Sequence, residues 1–285
     1  MPLVFAAIAP HGDLAIPEAC APDERDLAAA TQAGMRELER RARAATPDIV
    51  IILTPHNIHV TGATAVIISA RIAGSLPEAP EPVALDCEVD RSTALALVDA
   101  LLGEGVPAVG VSFGGNAAEE AVMPMDWGTL VPLWYLGGRW EPQPPVVVAA
   151  PARDLSGPTH VTAGWVLGRL AANSDRRIAL IASADQSHTH DPAGPYGGHP
   201  AAKAFDQLVV DAIEANDLDR LLDVPDQLLQ DAKPDSWWQL LMLHGALGRE
   251  WQAELLSYEA PTYYGMLCAA FSPAVIVAGA LQREA

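Results

Sequence analysis

Short apolar runs that break off into polar residues recur along the chain. Three of them cover residues 4–9, 49–53 and 178–182, and a continuous apolar run of this length is typical of a strand buried on both faces of a parallel sheet. The stretch between the first two, residues 23–45, carries apolar residues at near-helical spacing with charges between them. The pattern predicts a βαβ unit with parallel strands and a right-handed connection.

The same alternation continues to the end of the chain, and it predicts an α/β fold with a mostly parallel or mixed central sheet flanked by helices on both faces. We expect one domain spanning residues 1–285. The further predicted strands are residues 64–72, 108–113, 144–150, 254–257 and 275–278. The further predicted helices are residues 91–102, a short helix start within 125–133, 159–172, 201–215, 218–229, 237–247 and 261–271, with loops at 76–82 and 192–200.

Composition narrows the class of protein. No apolar run reaches the roughly 18 residues that span a bilayer, and the N-terminus lacks a basic segment with a cleavage site, so we expect a cytoplasmic protein without a membrane partner. Cys20, Cys87 and Cys268 are odd in number and far apart, which argues against a disulfide framework or a zinc knuckle. A net charge of -19 repels nucleic acid and anionic membranes.

Candidate chemistry lies where the apolar runs stop, because ligands in open α/β sheets bind beyond the carboxyl ends of the strands. The three runs end in His11, in His56 with His59 nearby, and in His188 with His190 nearby. Two histidines and a carboxylate form a typical ligand set for a divalent metal, with the third histidine as a base. A single histidine after a strand is more often a turn residue than a ligand, but three at one sheet edge support one another.

The carboxylate has two candidates, Glu254 and Glu259. Glu259 stands at the start of the predicted helix 261–271, where negative charge is favoured, and Pro261 is at a plausible first helical position. Glu254 begins a predicted strand and is expected to be exposed. The Gly/Pro-rich loop 192–200 is long enough to act as a lid over the site.

The order of these motifs resembles a known family. Proline–histidine pairs at His11 and His56, a serine–histidine pair at His188, and Glu259 followed four residues later by Tyr263 resemble the class III extradiol ring-cleavage dioxygenases, in particular catalytic subunits similar to the β subunit of protocatechuate 4,5-dioxygenase. The resemblance implies Fe(II) held by His11, His56 and Glu259, with His188 as acid/base. It further implies that O2 opens the ring of a catechol-type or aminophenol-type substrate.

One position departs from that family. Many relatives have Asp-His-Gly where this chain has Asp126-Trp127-Gly128, and their histidine serves as an acid/base group or a substrate ligand. Trp127 is instead expected to stack on an aromatic ring. His59 and His190 are expected to be further substrate contacts.

Two other functions remain open. Ser183, Asp185 and His188 also match the Ser-x-Asp-x-x-His stretch of the Memo-like proteins, which share the fold; a glutamate in place of a cysteine favours the dioxygenase. Some relatives assemble from an α and a β subunit, so this chain is expected to form a homo-oligomer or to pair with a small α subunit. The third possible function is that of a non-catalytic partner subunit. Bound iron supports the enzyme, and copper or no metal supports the other two.

Overall fold

The computed structural model describes residues 3–273, which form an α/β fold with a mixed central sheet. The strands are β1 (Leu3–Ala9), β2 (Ile49–Leu53), β3 (Thr64–Ile67), β4 (Arg71–Ser75), β5 (Ala84–Glu88), β6 (Ala108–Val111), β7 (Val122–Pro124), β8 (Val146–Ala150), β9 (Ile178–Ser183), β10 (Trp251–Glu259) and β11 (Met266–Pro273). The helices are α1 (Ala29–Ala45), α2 (Arg91–Gly103), α3 (Trp127–Tyr135), α4 (Gly157–Ala172), α5 (Ala201–Glu214), α6 (Asp226–Ala232) and α7 (Trp237–Leu247). Short 3-10 turns lie at Asp13–Ala15, Pro17–Ala19, Ala118–Glu120 and Leu218–Asp223.

The central sheet has eight strands in the order β10-β11-β1-β9-β2-β8-β3-β6, and β5-β4-β7 form a second, smaller sheet. The four middle strands β1, β9, β2 and β8 run parallel, and their central residues are buried, as the apolar runs predict. β11 and β10 add antiparallel strands at one side, and β3 pairs antiparallel with β8 at the other. The predicted fold class is confirmed.

Helices flank this sheet in two groups. α1 contacts α3, β1, β10 and β11. In the other group α4 contacts both α2 and α7, α2 contacts β3 and β8, and α7 contacts β9. The contact between α4 and α7 is close, since a Cβ added at Gly164 would collide with the carbonyl oxygen of Met242. In the described part of the chain, no helix combines the length and the apolar character that crossing a bilayer requires.

The register places the candidate site. Ala9 at the end of β1 pairs with Ser183 at the end of β9, and Leu53 at the end of β2 pairs with Ala182. Since these strands are adjacent and parallel, the chain leaves all three at the same sheet edge. The segments carrying His11, His56 and His188 therefore begin side by side, as the sequence predicts.

The prediction of a helix at 261–271 is wrong. The segment contains β11, a strand paired with both β1 and β10, and its residues from Met266 to Phe271 are buried. A short continuous apolar run fits a buried strand as well as a buried helix, and periodicity does not separate the two. The β10–β11 pair is therefore an antiparallel hairpin, which changes the position of Glu259.

Other boundaries differ in smaller ways. The predicted strand 64–72 is two strands in different sheets, and the predicted helix 218–229 divides into a 3-10 turn and α6 around Pro225, since proline has no N–H to continue the ladder. The first helix begins at Ala29 and not at residue 23, and the strand around 254–257 is longer in both directions. The predicted strand 275–278 lies outside the described residues.

Candidate metal centre

Two histidines and one aspartate converge at the carboxyl edge of the central sheet. His11 follows β1, His56 follows β2, and Asp235 lies in the connection between α6 and α7. The Nε2 atoms of His11 and His56 are 3.3 Å apart, and Nε2 of His56 is 3.6 Å from Oδ2 of Asp235. One ligand atom from each of the three residues lies within 4.8 Å of the others.

These separations fit the coordination sphere of a first-row divalent metal. Ligand atoms bound at about 2.0–2.2 Å and separated by roughly 90–110° at the ion lie about 2.8–3.6 Å apart, which matches the two distances above. Two imidazoles and one carboxylate also leave positions open for substrate. Cys20, Cys87 and Cys268 are free and buried, and none of them belongs to this cluster, so its donor set is nitrogen and oxygen.

His11 presents a lone pair to this centre. Its Nδ1 lies 3.0 Å from Oγ of Ser183, and that hydroxyl donates its hydrogen to the carbonyl oxygen of Gly128. Ser183 can therefore only accept from His11, so Nδ1 carries the ring hydrogen and Nε2 is unprotonated. Burial, together with the nearby His56, lowers the pKa of His11 well below its ordinary value. A buried neutral imidazole with Nε2 free is the form that binds a metal.

Asp235 is held in place by its backbone and by an arginine. Its N–H donates to the carbonyl oxygen of Asp185 at 3.1 Å, which ties the α6–α7 connection to the end of β9. Arg153 donates to Oδ1 at 2.6 Å, and Oδ2 faces the histidines. No local sequence pattern indicates this role, because an aspartate just before a helix is an ordinary helix-start residue.

The buried carboxyl group of Asp185 lies beneath His11. Its Oδ1 accepts a hydrogen bond from the backbone N–H of His11 at 2.9 Å, and its Oδ2 is 3.5 Å from Nε2 of His11. Burial raises the pKa of Asp185 to about 8. This shift disfavours the charged form of Asp185, whereas Asp235 is paired with Arg153 and is the carboxylate grouped with the two histidines.

The structure does not bring Glu259 to the histidines. Glu259 ends β10, and its Oε1 accepts a hydrogen bond from the backbone N–H of Thr31 at 2.6 Å, where it satisfies a free donor in the first turn of α1. Glu254 makes an exposed ion pair with Arg41 at 2.7 Å. The predicted position of Glu259 is wrong because it assumed a helix at 261–271, whereas the hairpin directs this carboxylate toward α1.

His188 lies beside the centre with its reactive nitrogen free. Its Nδ1 is 3.0 Å from the carbonyl oxygens of Gln186 and Lys233; both can only accept, so Nδ1 carries the hydrogen. Nε2 is then unprotonated and lies 3.8 Å from Oδ2 of Asp235. Burial lowers the pKa of His188 below its ordinary value, so at neutral pH the imidazole is able to accept a proton.

The two histidines predicted as substrate contacts lie elsewhere. Nε2 of His190 is 2.7 Å from Oδ2 of Asp206, a buried carboxylate that also accepts from the N–H of Ser187 and the hydroxyl of Tyr258. His190 therefore fixes the loop that carries His188. His59 is exposed and is not among the residues that line the cavity.

Aromatic side chains form the walls of a cavity of about 550 Å³ at the centre. Trp127 begins α3 and stacks over His56 with ring centroids 4.3 Å apart. The ring of Tyr264 stacks on His188 at 5.6 Å, and Tyr263 and Tyr196 line the same cavity. Tyr196 comes from the predicted loop 192–200, which therefore reaches the site. This volume is in the usual range for a small-molecule site.

Comparison with known proteins identifies the family. Residues 5–269 match the family described as the catalytic LigB subunit of aromatic ring-opening dioxygenase, and the chain belongs to this family. Members are generally dioxygenases and are typically metal-dependent. The His11–His56–Asp235 cluster is a candidate site for such a metal.

Two individual relatives add further information. This chain is 22% identical to Protein CA_C1420 of Clostridium acetobutylicum over 252 residues, which cover 88% of this chain. The chain spans about half (53%) of that protein's length. The crystal structure of uncharacterized protein JW3007 from Escherichia coli K12 superposes with a TM-score of 0.60 at 17% identity, covering 94% of this chain and 99% of that one. The second likeness is one of fold.

The hydrogen-bond network around His11 predicts its protonation state. In the metal-free protein, we expect His11 to remain neutral, with its hydrogen on Nδ1, at pH values around the ordinary histidine pKa of 6.5. The ¹⁵N chemical shifts of the imidazoles, followed by NMR during a pH titration, measure this directly. His59, which is exposed, is the internal comparison. Protonation of His11 at or above pH 6.5, or a hydrogen on Nε2, would contradict the assignment.

Proposed function

We propose that the protein is a non-haem Fe(II)-dependent extradiol dioxygenase that opens the ring of a catechol-type or 2-aminophenol-type aromatic with O2. The observation that carries this proposal is the convergence of His11, His56 and Asp235 in an aromatic-walled cavity beside the unprotonated Nε2 of His188. Membership in the LigB family supports it. Overall, both atoms of O2 enter one ring-opened product.

Three side chains would hold the iron: His11, His56 and Asp235. Fe(II), when bound there, supplies Lewis-acid polarisation of the substrate's hydroxyl or amino group and the electron transfer that O2 activation requires. Arg153 occupies the other oxygen of Asp235, which keeps Oδ2 directed at the histidines. Ser183 holds the ring hydrogen of His11 on Nδ1, which leaves Nε2 directed at the centre.

His188 is the proposed acid/base group for the substrate's hydroxyl proton. Its Nε2 is placed to accept a proton from a substrate hydroxyl and to return it later, since an imidazole changes charge near neutral pH. The carbonyl oxygens of Gln186 and Lys233 hold the Nδ1 hydrogen at 3.0 Å, so the ring is oriented before and after the transfer. Asp235, 3.8 Å from Nε2, favours the positive charge that develops on the ring.

The aromatic walls orient the substrate ring. Trp127 lies over His56, and Tyr196, Tyr263 and Tyr264 lie around His188, and all four line the same cavity. A planar ring placed between them is held by stacking and edge contacts. Holding the substrate beside the proton acceptor converts a multi-body encounter into an ordered one. Trp127 thus contributes to positioning and not to proton transfer.

Oxygen consumption tests the proposed function. Protein reconstituted anaerobically with Fe(II) is mixed with catechol or 2-aminophenol in air-saturated buffer, and O2 uptake is recorded together with the appearance of a yellow ring-opened product. We expect one mole of O2 consumed per mole of ring opened, and no uptake by metal-free protein. Absence of uptake with every such substrate, despite bound iron, would exclude ring opening and favour a Memo-like or accessory role.

Replacing His188 tests the proton-transfer step. His188→Ala is expected to lower kcat by about 10²–10⁴-fold, the usual contribution of a general acid/base group, while Fe(II) affinity changes little because His188 is not a ligand. His59→Ala, an exposed histidine on the same edge, is the control and should retain full turnover. Full activity in His188→Ala would remove the acid/base assignment, and loss of iron in that variant would show that His188 is a ligand.

A further inference from the structure

The central sheet ends at β6, one side of which has no partner strand among residues 3–273. On its other side β6 pairs in parallel with β3, and the carbonyl oxygens of Pro107 and Val111 accept hydrogen bonds there. Alternate residues of a parallel strand bond to the same neighbour, so the backbone N–H and C=O groups of Ala108 and Gly110 point away from β3. Within the described part of the chain, β6 therefore ends the sheet with unused donors and acceptors.

The strand at the opposite end of the sheet, β10, is protected against pairing. The side chain of Asn216 donates to the carbonyl oxygen of Trp251 at 3.0 Å and accepts from the N–H of Ala253 at 2.7 Å, so these backbone groups are already satisfied. Glu254 places a charge on this strand, and the pairing of β10 with β11 contains a register shift. Charges and bulges are the usual means by which proteins keep an exposed edge strand from pairing with another chain.

The edge at β6 has no charge of this kind. Residues 105–118 contain no charged side chain, although residues 107–113 are half-buried or exposed. Two large apolar side chains flank the strand and are themselves exposed, Leu102 at 53% and Phe113 at 60%. Leu102 belongs to α2, which packs on β6. A free, uncharged edge beside exposed apolar side chains is typical of a strand that pairs with a strand of another chain.

The sequence of β6 suits pairing with a second copy of itself. In an antiparallel pair related by a two-fold axis at Gly110, this glycine lies opposite its own counterpart, and Ala108 lies opposite Ser112. The backbone groups that point away from β3 then meet, and the pair forms about six hydrogen bonds. Glycine leaves no side chain at the axis, and Phe113 of each copy comes to lie opposite Pro107 of the other.

Charge favours a second copy over other partners. The chain carries a net charge of -19, so a basic partner is drawn to its acidic surfaces, whereas two copies repel one another there. Residues 105–118 add no repulsion, because none of them is charged. The nearest charged residues along the chain, Glu104 and Glu119, each form an ion pair with an arginine. This edge is therefore a surface at which the chain can approach a copy of itself closely.

We propose that β6 is a dimer interface, in which the β6 strands of two copies pair antiparallel about a two-fold axis at Gly110 and join the two eight-stranded sheets into one. The interface is self-complementary and leaves only the two protected β10 edges at the ends of the joined sheet, so the assembly stops at two copies. The inference does not depend on ring opening, because no residue of β6 is among those that line the cavity at the metal centre.

Two variants test the interface, each with a matched control. Ala108→Pro removes an N–H that is offered to the second copy and leaves the hydrogen bonds to β3 intact, and Ala108→Ser keeps that N–H. Phe113→Asp adds a charge at an exposed side chain beside β6. Leu27→Asp adds the same charge at a residue that is 46% exposed and lies just ahead of α1, which packs on β10 and β11 at the other end of the sheet.

Two measurements are made on the 285-residue chain and on each variant. Sedimentation velocity over a range of concentrations gives the Kd of the dimer, and hydrogen exchange gives the protection of the amides of Ala108 and Gly110. We expect the native chain and both controls to form dimers in which these amides are protected. Ala108→Pro and Phe113→Asp should each raise the dimer Kd by about tenfold or more, since the interface loses two hydrogen bonds or gains two like charges. The amide of Gly110 should then exchange rapidly.

The outcomes decide for or against this interface whatever the chemistry of the metal centre. A native chain that is monomeric would overturn the inference and leave this edge to a strand of another protein. A dimer that persists unweakened in both variants, or one in which the amide of Gly110 exchanges as fast as in a monomer, would show that the copies contact through another surface. An assembly larger than two copies would also contradict it, because pairing through β6 alone closes at a dimer.

Discussion

The register of three adjacent parallel strands is the constraint on which the site depends. β9 lies between β1 and β2, and the pairs Ala9–Ser183 and Leu53–Ala182 bring the three strand ends level with one another. A shift of one residue in any strand would turn its side chains to the opposite face. It would also separate Ser183 from His11 and change which nitrogen of His11 faces the centre. Close packing of each buried strand opposes this shift, because different side chains would then have to fit the same spaces.

Burial gives the site its chemical character. Removal from water disfavours the charged forms of His11 and His188, so both imidazoles remain neutral where a metal ligand and a base require it. Each ring is kept in one tautomer by a partner at Nδ1, a serine hydroxyl in one case and two carbonyl oxygens in the other. Asp235 is paired with Arg153, which offsets the cost of placing a carboxylate beside buried groups.

The sequence predicted those parts of the site that follow directly from strands. His11, His56 and His188 each come within a few residues of a buried apolar run, and the ends of parallel strands meet by the rules of the fold. Asp235 was missed because it belongs to a helix–helix connection, and its position depends on long-range pairing with Asp185 that no local pattern records. Glu259 was misplaced because the apolar run after it fits a helix or a buried strand equally well. His190 lies next to the site along the chain, but a partner sixteen residues away, Asp206, directs its side chain elsewhere.

The identity of the metal-binding carboxylate is the central claim, and Fe(II) affinity measured by anaerobic titration calorimetry tests it most directly. Asp235→Asn is compared with Glu259→Gln, a matched substitution at the carboxylate that contacts only α1 in this account. Removal of a direct ligand costs more than the roughly 10–100-fold lost when a supporting residue is changed, so Asp235→Asn should weaken Fe(II) binding by more than about 100-fold. Glu259→Gln should bind Fe(II) like the native chain. Unchanged affinity in Asp235→Asn together with lost affinity in Glu259→Gln would contradict the account.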